Sequence, residues 1–134
     1  MYKRQSHARA VRALRLGLTA DGTDALDTES RLTDLVLRAD DAALADLRAA
    51  VLAPLDGLTP AVREKLTVTL RSWLLHHGRR EQVAAALFVH PQTVRYRLGQ
   101  LRDLYGDRLD DPQTVLELTV ALGAEVPQPE EDAR

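Results

Sequence analysis

The chain has 134 residues, a net charge of −2, and 45% hydrophobic and 28% charged residues, the proportions of a folded globular protein rather than a disordered one. No apolar run reaches the roughly 18 residues that a membrane span requires, and the basic N-terminus is followed by no uninterrupted apolar stretch of the secretory-signal kind. The absence of cysteine removes disulfides, zinc–thiolate sites and thiol chemistry together; the cytoplasm is the expected compartment.

In chain order, Val11, Leu14 and Leu18 recur at i, i+3 and i+7, which predicts an amphipathic helix over residues 4–18. The polar, acidic stretch 19–28 reads as a loop. Leu32, Leu35 and Val36 fit a short helix, although Leu35-Val36-Leu37 also fits a buried strand fragment. Asp40 is placed to N-cap a helix with Leu44, Leu47 and Val51 on one face, and Pro54 and Gly57 then mark a break. Three later helix starts share one punctuation: Thr59-Pro60, His90-Pro91 and Asp111-Pro112. Proline suits the first helical position, where its missing N–H would have had no partner, and it holds the preceding residue outside the helix.

From Thr59, Val62, Leu66, Leu70, Trp73 and Leu74 lie on one face of a long helix ending at His76-His77-Gly78. Two imidazoles there meet the negative dipole end, and Gly78 is available as a left-handed cap. A short helix over residues 81–88 and a second over 91–105, closed by Gly106, follow with few residues between them. A last helix over 112–124 carries Val115, Leu118 and Leu122. The acidic, proline-bearing end, residues 125–134, is expected to be disordered.

Helix, tight turn, helix is the geometry of a helix-turn-helix, and the residue sizes fit it. Ala84 is small where the first helix must approach the second. Val83, Leu87 and Val89 supply one apolar face, and Val94, Leu98 and Leu101 answer from the other. Gln92, Thr93, Arg95, Tyr96, Arg97 and Gln100 are left on the exposed arc of the second helix, able to read base edges or grip phosphates. Gln92, Thr93 and Tyr96 lie where a recognition helix enters the major groove. Gln92 could pair bidentately with adenine and Arg95 with guanine, while Arg97 and Arg102 suit phosphates. His90 orders the turn by bonding a backbone group or a phosphate. Charge agrees: between Arg71 and Arg108 stand seven arginines and three acids, in a chain that is otherwise net acidic.

The runs L-T-V-T-L-R-S-W-L, A-A-A-L-F-V-H-P-Q-T-V-R-Y-R-L, L-Y-G-D-R-L-D-D-P and L-T-V-A-L together resemble the C-terminal helix-turn-helix domain of PucR/CdaR-type bacterial transcription regulators. Thr69, Leu70, Trp73, Leu74, Ala84, Leu87, Val89, His90, Thr93, Val94, Tyr96, Arg97, Leu98, Leu109, Asp111, Pro112, Ala121 and Leu122 carry the likeness over residues 59–124. It implies sequence-specific binding of double-stranded DNA, catabolic genes as the family's usual targets, and a ligand sensor further upstream in full-length relatives. Residues 4–55 resemble, more weakly, the end of the GGDEF-like domain that precedes this module, so the chain looks like a truncated regulator. Two positions depart from the pattern. Gln92 replaces the usual asparagine, and Arg79 stands where relatives often have asparagine, so a side-chain N-cap is missing. Arg79 and Arg80 oppose the helix dipole there and read as phosphate contacts.

Rival readings are weaker. Adjacent His76 and His77 point about 100° apart on a helix, and dipole capping accounts for them better than a metal site does. Asp40-Asp41 and Asp110-Asp111 precede helices, where capping accounts for them. No phosphate loop or nucleophile motif occurs. The expectation is therefore an all-α helix-turn-helix bundle, winged-helix-like or Fis-like, with extra N-terminal helices. It divides into a helical remnant over 1–55, the DNA-binding module over 56–124 and the tail. It is not an enzyme and has no cofactor, metal or small-molecule site. Its N-terminal piece is too short to bury its own core, which favours a homodimer. The competing expectation is a helical protein-interaction module, or a regulator that has lost DNA recognition.

Overall fold

The computed structural model describes residues 32–124. The helix expected over 4–18, the loop over 19–28 and the tail over 125–134 lie outside the described residues. The described part is all-α, with no strand and hence no β-wing. It comprises α1 (Leu32–Leu37), α2 (Asp41–Val51), α3 (Pro60–Leu75), α4 (Arg80–Leu87), α5 (Pro91–Tyr105) and α6 (Pro112–Gly123). Short 3-10 turns cover Ala53–Leu55 and Gly106–Asp110. The ambiguous segment around Leu35 is helical, with Leu35 buried and Val36 exposed.

Four of the helices start where a side chain satisfies an orphan N–H. Asp40 Oδ1 accepts from the Ala43 N–H at 3.0 Å. The three X-Pro steps all act as N-caps. Thr59 Oγ1 accepts from Val62 at 3.5 Å, His90 Nδ1 from Gln92 at 3.0 Å, and Asp111 Oδ2 from Thr114 at 2.9 Å. Arg79 precedes α4 in extended conformation without a side-chain capping bond, as its departure from the asparagine pattern implied.

The chain divides into two units, the second of which starts at Ala45. This unit includes residues on both sides of the 55/56 division expected from Pro54 and Gly57. The reason is apolar burial: Val51, Leu52 and Leu55 are buried in one core with Leu66, Leu70, Val83, Val94, Leu101 and Leu118. A hydrogen bond reinforces the join, for the buried Tyr105 hydroxyl donates to the Val51 carbonyl at 2.7 Å. Around this core α3 packs against α4, α5 and α6, and α4 packs against α5.

The apolar face of α3 is displaced from the expected one. Val62 is exposed, and Thr69 and Ser72 are buried instead. Thr69 tolerates burial because its hydroxyl donates to the Lys65 carbonyl at 2.7 Å, one turn back. The end of α3 also differs. His77, rather than Gly78, takes the first left-handed position (φ 54°), with Gly78 left-handed after it (φ 75°). The His77 N–H then points to the Leu74 carbonyl (3.4 Å) and the Gly78 N–H to the Trp73 carbonyl (2.9 Å), a Schellman closure. His76 Nδ1 lies 2.7 Å from the Ser72 carbonyl, a geometry that puts a proton on Nδ1 and a donor at the negative helix end.

Candidate nucleic-acid interface

The local sequence builds the site from α4 upward. Val83 and Ala84 are buried on its inner face, and the methyl-sized Ala84 lets α5 approach. The helix stops at Phe88, which is left-handed (φ 55°) and 96% exposed. The Phe88 and Val89 N–H groups close back on Ala85 and Ala84, the same motif that ends α3. Only Phe88, Val89 and His90 separate α4 from α5. Val89 and Leu87 pack against the core, and His90 caps α5. On α5, Val94, Leu98, Leu101 and Tyr105 are buried, which fixes the helix's rotation and selects its outer face.

That face carries most of the expected residues. Gln92, Arg95, Tyr96 and Arg102 are exposed on α5, as are His90 before it and Arg79 and Arg80 at the start of α4. Thr93 and Gln100 are half-buried, at the margin of the arc. Arg97 departs from the expected arc. It is half-buried, and its guanidinium donates to Thr69 Oγ1 at 3.4 Å, so part of its hydrogen-bonding capacity is turned toward α3. The ridge as a whole is not sequestered.

The cationic window also divides by task. Arg71 Nε donates to the Leu122 carbonyl at 2.8 Å, and Arg48, outside the window, donates to the Ala121 carbonyl at 2.6 Å. Both satisfy the C-terminal carbonyls of α6, which has no basic residue in its own last turn. Arg108 stacks over the Tyr105 ring, 5.8 Å from its centroid. Among the described residues the one ion pair joins Arg63 to Asp56, so no carboxylate neutralises Arg79, Arg80, Arg95 or Arg102. Sequence reading counted the arginines but could not assign them, because the internal acceptors are carbonyls distant along the chain. The described residues hold no cluster of three metal-ligating side chains and no helix long and apolar enough to cross a membrane.

Two short-linked helices, braced by a third and presenting an uncovered polar and cationic face, define a helix-turn-helix module. The chain matches, over residues 66–124, the PucR C-terminal helix-turn-helix domain. It is 38% identical over 72 residues to an uncharacterized protein in the pkwA 5′ region of Thermomonospora curvata, covering 54% of this chain and 39% of that protein. It is 37% identical over 90 residues to an uncharacterized protein of Mycobacterium tuberculosis, covering 67% of this chain and 21% of that protein. It is 39% identical over 59 residues to the purine catabolism regulatory protein of Bacillus subtilis, covering 44% of this chain and 11% of that protein. The aligned part is thus well under two thirds of each relative. No solved structure matches the chain.

Proposed function

We propose that the chain binds double-stranded DNA as the DNA-reading part of a bacterial transcription regulator, with the start of α5 in the major groove. The observation that carries this reading is the uncovered face of α5 directly after a three-residue turn. Gln92 and Tyr96 project there from the first turns, beside arginines that pair with no carboxylate among the described residues. Gln92 suits the N6/N7 edge of adenine, and Tyr96 and Thr93 suit neighbouring base edges. His90 contributes in a second way. Because its Nδ1 accepts the Gln92 N–H, the neutral ring carries its proton on Nε2. That exposed donor fits a phosphate oxygen, as do Arg79 and Arg97's remaining N–H groups. Gln100 lies two turns on and completes the arc.

In this reading the module acts as a homodimer, its two α5 helices set about 34 Å apart to meet successive major grooves. It works in the cytoplasm, where the chromosome lies, by binding alone and without chemistry. The test is an anisotropy titration with duplex DNA at several salt concentrations. A reader neutralising about five phosphates gives a log–log slope near −4.5. Absence of affinity at any salt would overturn the reading and favour a protein-interaction module.

A further inference from the structure

Beside the recognition face lies an open cleft of about 430 Å³ whose lining comes from three helices. Trp73 of α3 and Gly78 beyond it line one part, Arg80 of α4 another, and Arg95, Leu98, Gly99 and Arg102 of α5 the rest. Arg95, Gly99 and Arg102 follow i, i+4 and i+7, so the helical repeat alone puts them on one stripe. Three guanidinium groups around one cleft, with no carboxylate among the described residues pairing any of them, concentrate positive potential there and call for an anion.

Gly99 points the same way from independent evidence. A glycine inside a helix weakens it, so its presence needs a reason. Its φ is not positive, and a Cβ built on it would meet nothing within 4 Å. Neither backbone conformation nor internal packing requires it. What remains is a close approach from outside the chain, the use glycine has wherever a ligand's backbone comes near. Gly78, in contrast, is required internally: it is left-handed, and a Cβ there would lie 3.3 Å from Trp73 Nε1.

We infer that this cleft seats one backbone phosphate of the duplex, gripped jointly by Arg80, Arg95 and Arg102, with Gly99 bare so that the strand can come close. The inference rests on the DNA-binding reading above and deepens it. It moves Arg95 from reading guanine to gripping the backbone, leaving base contacts to Gln92, Thr93 and Tyr96.

The test uses the full chain and two duplexes of unrelated sequence. Replacing all three arginines by glutamine weakens binding to both duplexes alike and lowers the salt slope by about 0.9, the share of one phosphate. A drop approaching about 2.7 would mean three separate phosphate contacts and overturn the shared site, as would an unchanged slope. Gly99→Ala weakens both duplexes at least tenfold while raising the melting temperature by roughly 3–6 °C, a combination no packing role produces. Unchanged affinity or a lowered melting temperature would count against the inference. Trp73, the chain's one tryptophan, reports occupancy by fluorescence. Duplex shifts its emission, and inorganic phosphate does no more than chloride at matched ionic strength. A saturating response to inorganic phosphate would instead assign the cleft to a small phosphorylated ligand. Failure of the unaltered chain to bind any duplex would sink the parent reading and this one with it, whereas normal binding with indifferent variants would sink this one alone.

Discussion

His77 and Phe88 each occupy the left-handed region that glycine favours, and each ends a helix by the same backbone closure. A side chain there costs roughly 1–2 kcal/mol per residue. His77→Gly and Phe88→Gly are therefore expected to raise stability by about 1 kcal/mol each in urea denaturation, after the entropy of glycine in the unfolded chain is counted. Phe88 forfeits little packing, since it is 96% exposed. Sequence reading gave the left-handed role to Gly78 because glycine adopts it freely. Gly78 does adopt it, and His77 adopts it as well, because the helix ends one residue earlier. Tyr105 makes a different prediction. Its phenol is pushed up to about 12 from 10.0, chiefly by burial, against the opposing pull of Arg108. The unfolded chain ionises near 10 and the folded one later, so this contribution is whole below pH 10 and is lost between pH 10 and 12. Tyr105→Phe is expected to cost about 1–2 kcal/mol at neutral pH, by stranding the Val51 carbonyl. The decline through that alkaline window should be shallower in the variant than in the parent.

Helix beginnings were legible because their chemistry is local. Threonine, histidine and aspartate before proline predict caps at 59, 90 and 111, and all three are made. At α6, Asp111 holds both the N–H and the hydroxyl of Thr114 at 2.9 Å, and these bonds keep its carboxyl below the usual range. Its support for α6 is therefore present above the unfolded chain's value near 3.8 and fades as pH falls through the lower folded value. Asp111→Ala should remove that acid-side dependence from the unfolding curve. The other end of α6 was not legible, because its cations come from α2 and α3. Arg71→Met is expected to cost about 1–2 kcal/mol and to speed amide exchange at the last turn of α6 relative to the centre of α5. Equal acceleration in both helices would argue against a capping role.

The boundary of the packing unit is a property of the entire second unit. Proline and glycine after Val51 suggested a division at residue 55, yet Val51, Leu52 and Leu55 fill the core beneath α5 and the Tyr105 hydroxyl reaches back to α2. Removing three buried side chains of this size costs several kcal/mol, at roughly 2–5 kcal/mol for each leucine-sized loss, against a total stability of about 5–15 kcal/mol. A fragment starting at Gly57 is expected to lose cooperative unfolding. One starting at Asp40, with its helix cap and all three apolar residues, should retain it. Circular dichroism during thermal melting distinguishes them, and two similar sharp transitions would support a boundary at residue 55.

What the amino-acid order determined alone was whatever acts within a turn or two of helix. Apolar repeats set the later helices, X-Pro caps set their starts, and the size of Ala84 with the spacing of Val94, Leu98 and Leu101 set the helix-turn-helix and its outer face. Short-range hydrogen bonds and a 3.6-residue period need no knowledge of neighbours. The tertiary structure decided the matters that join distant parts of the chain. It turned Arg97 toward Thr69, assigned Arg71 to the end of α6, drew α2 into the core, and gathered Arg80, Arg95 and Arg102 around Trp73. A long cationic side chain reaches several ångströms in many directions, and only the folded surroundings fix which acceptor it meets.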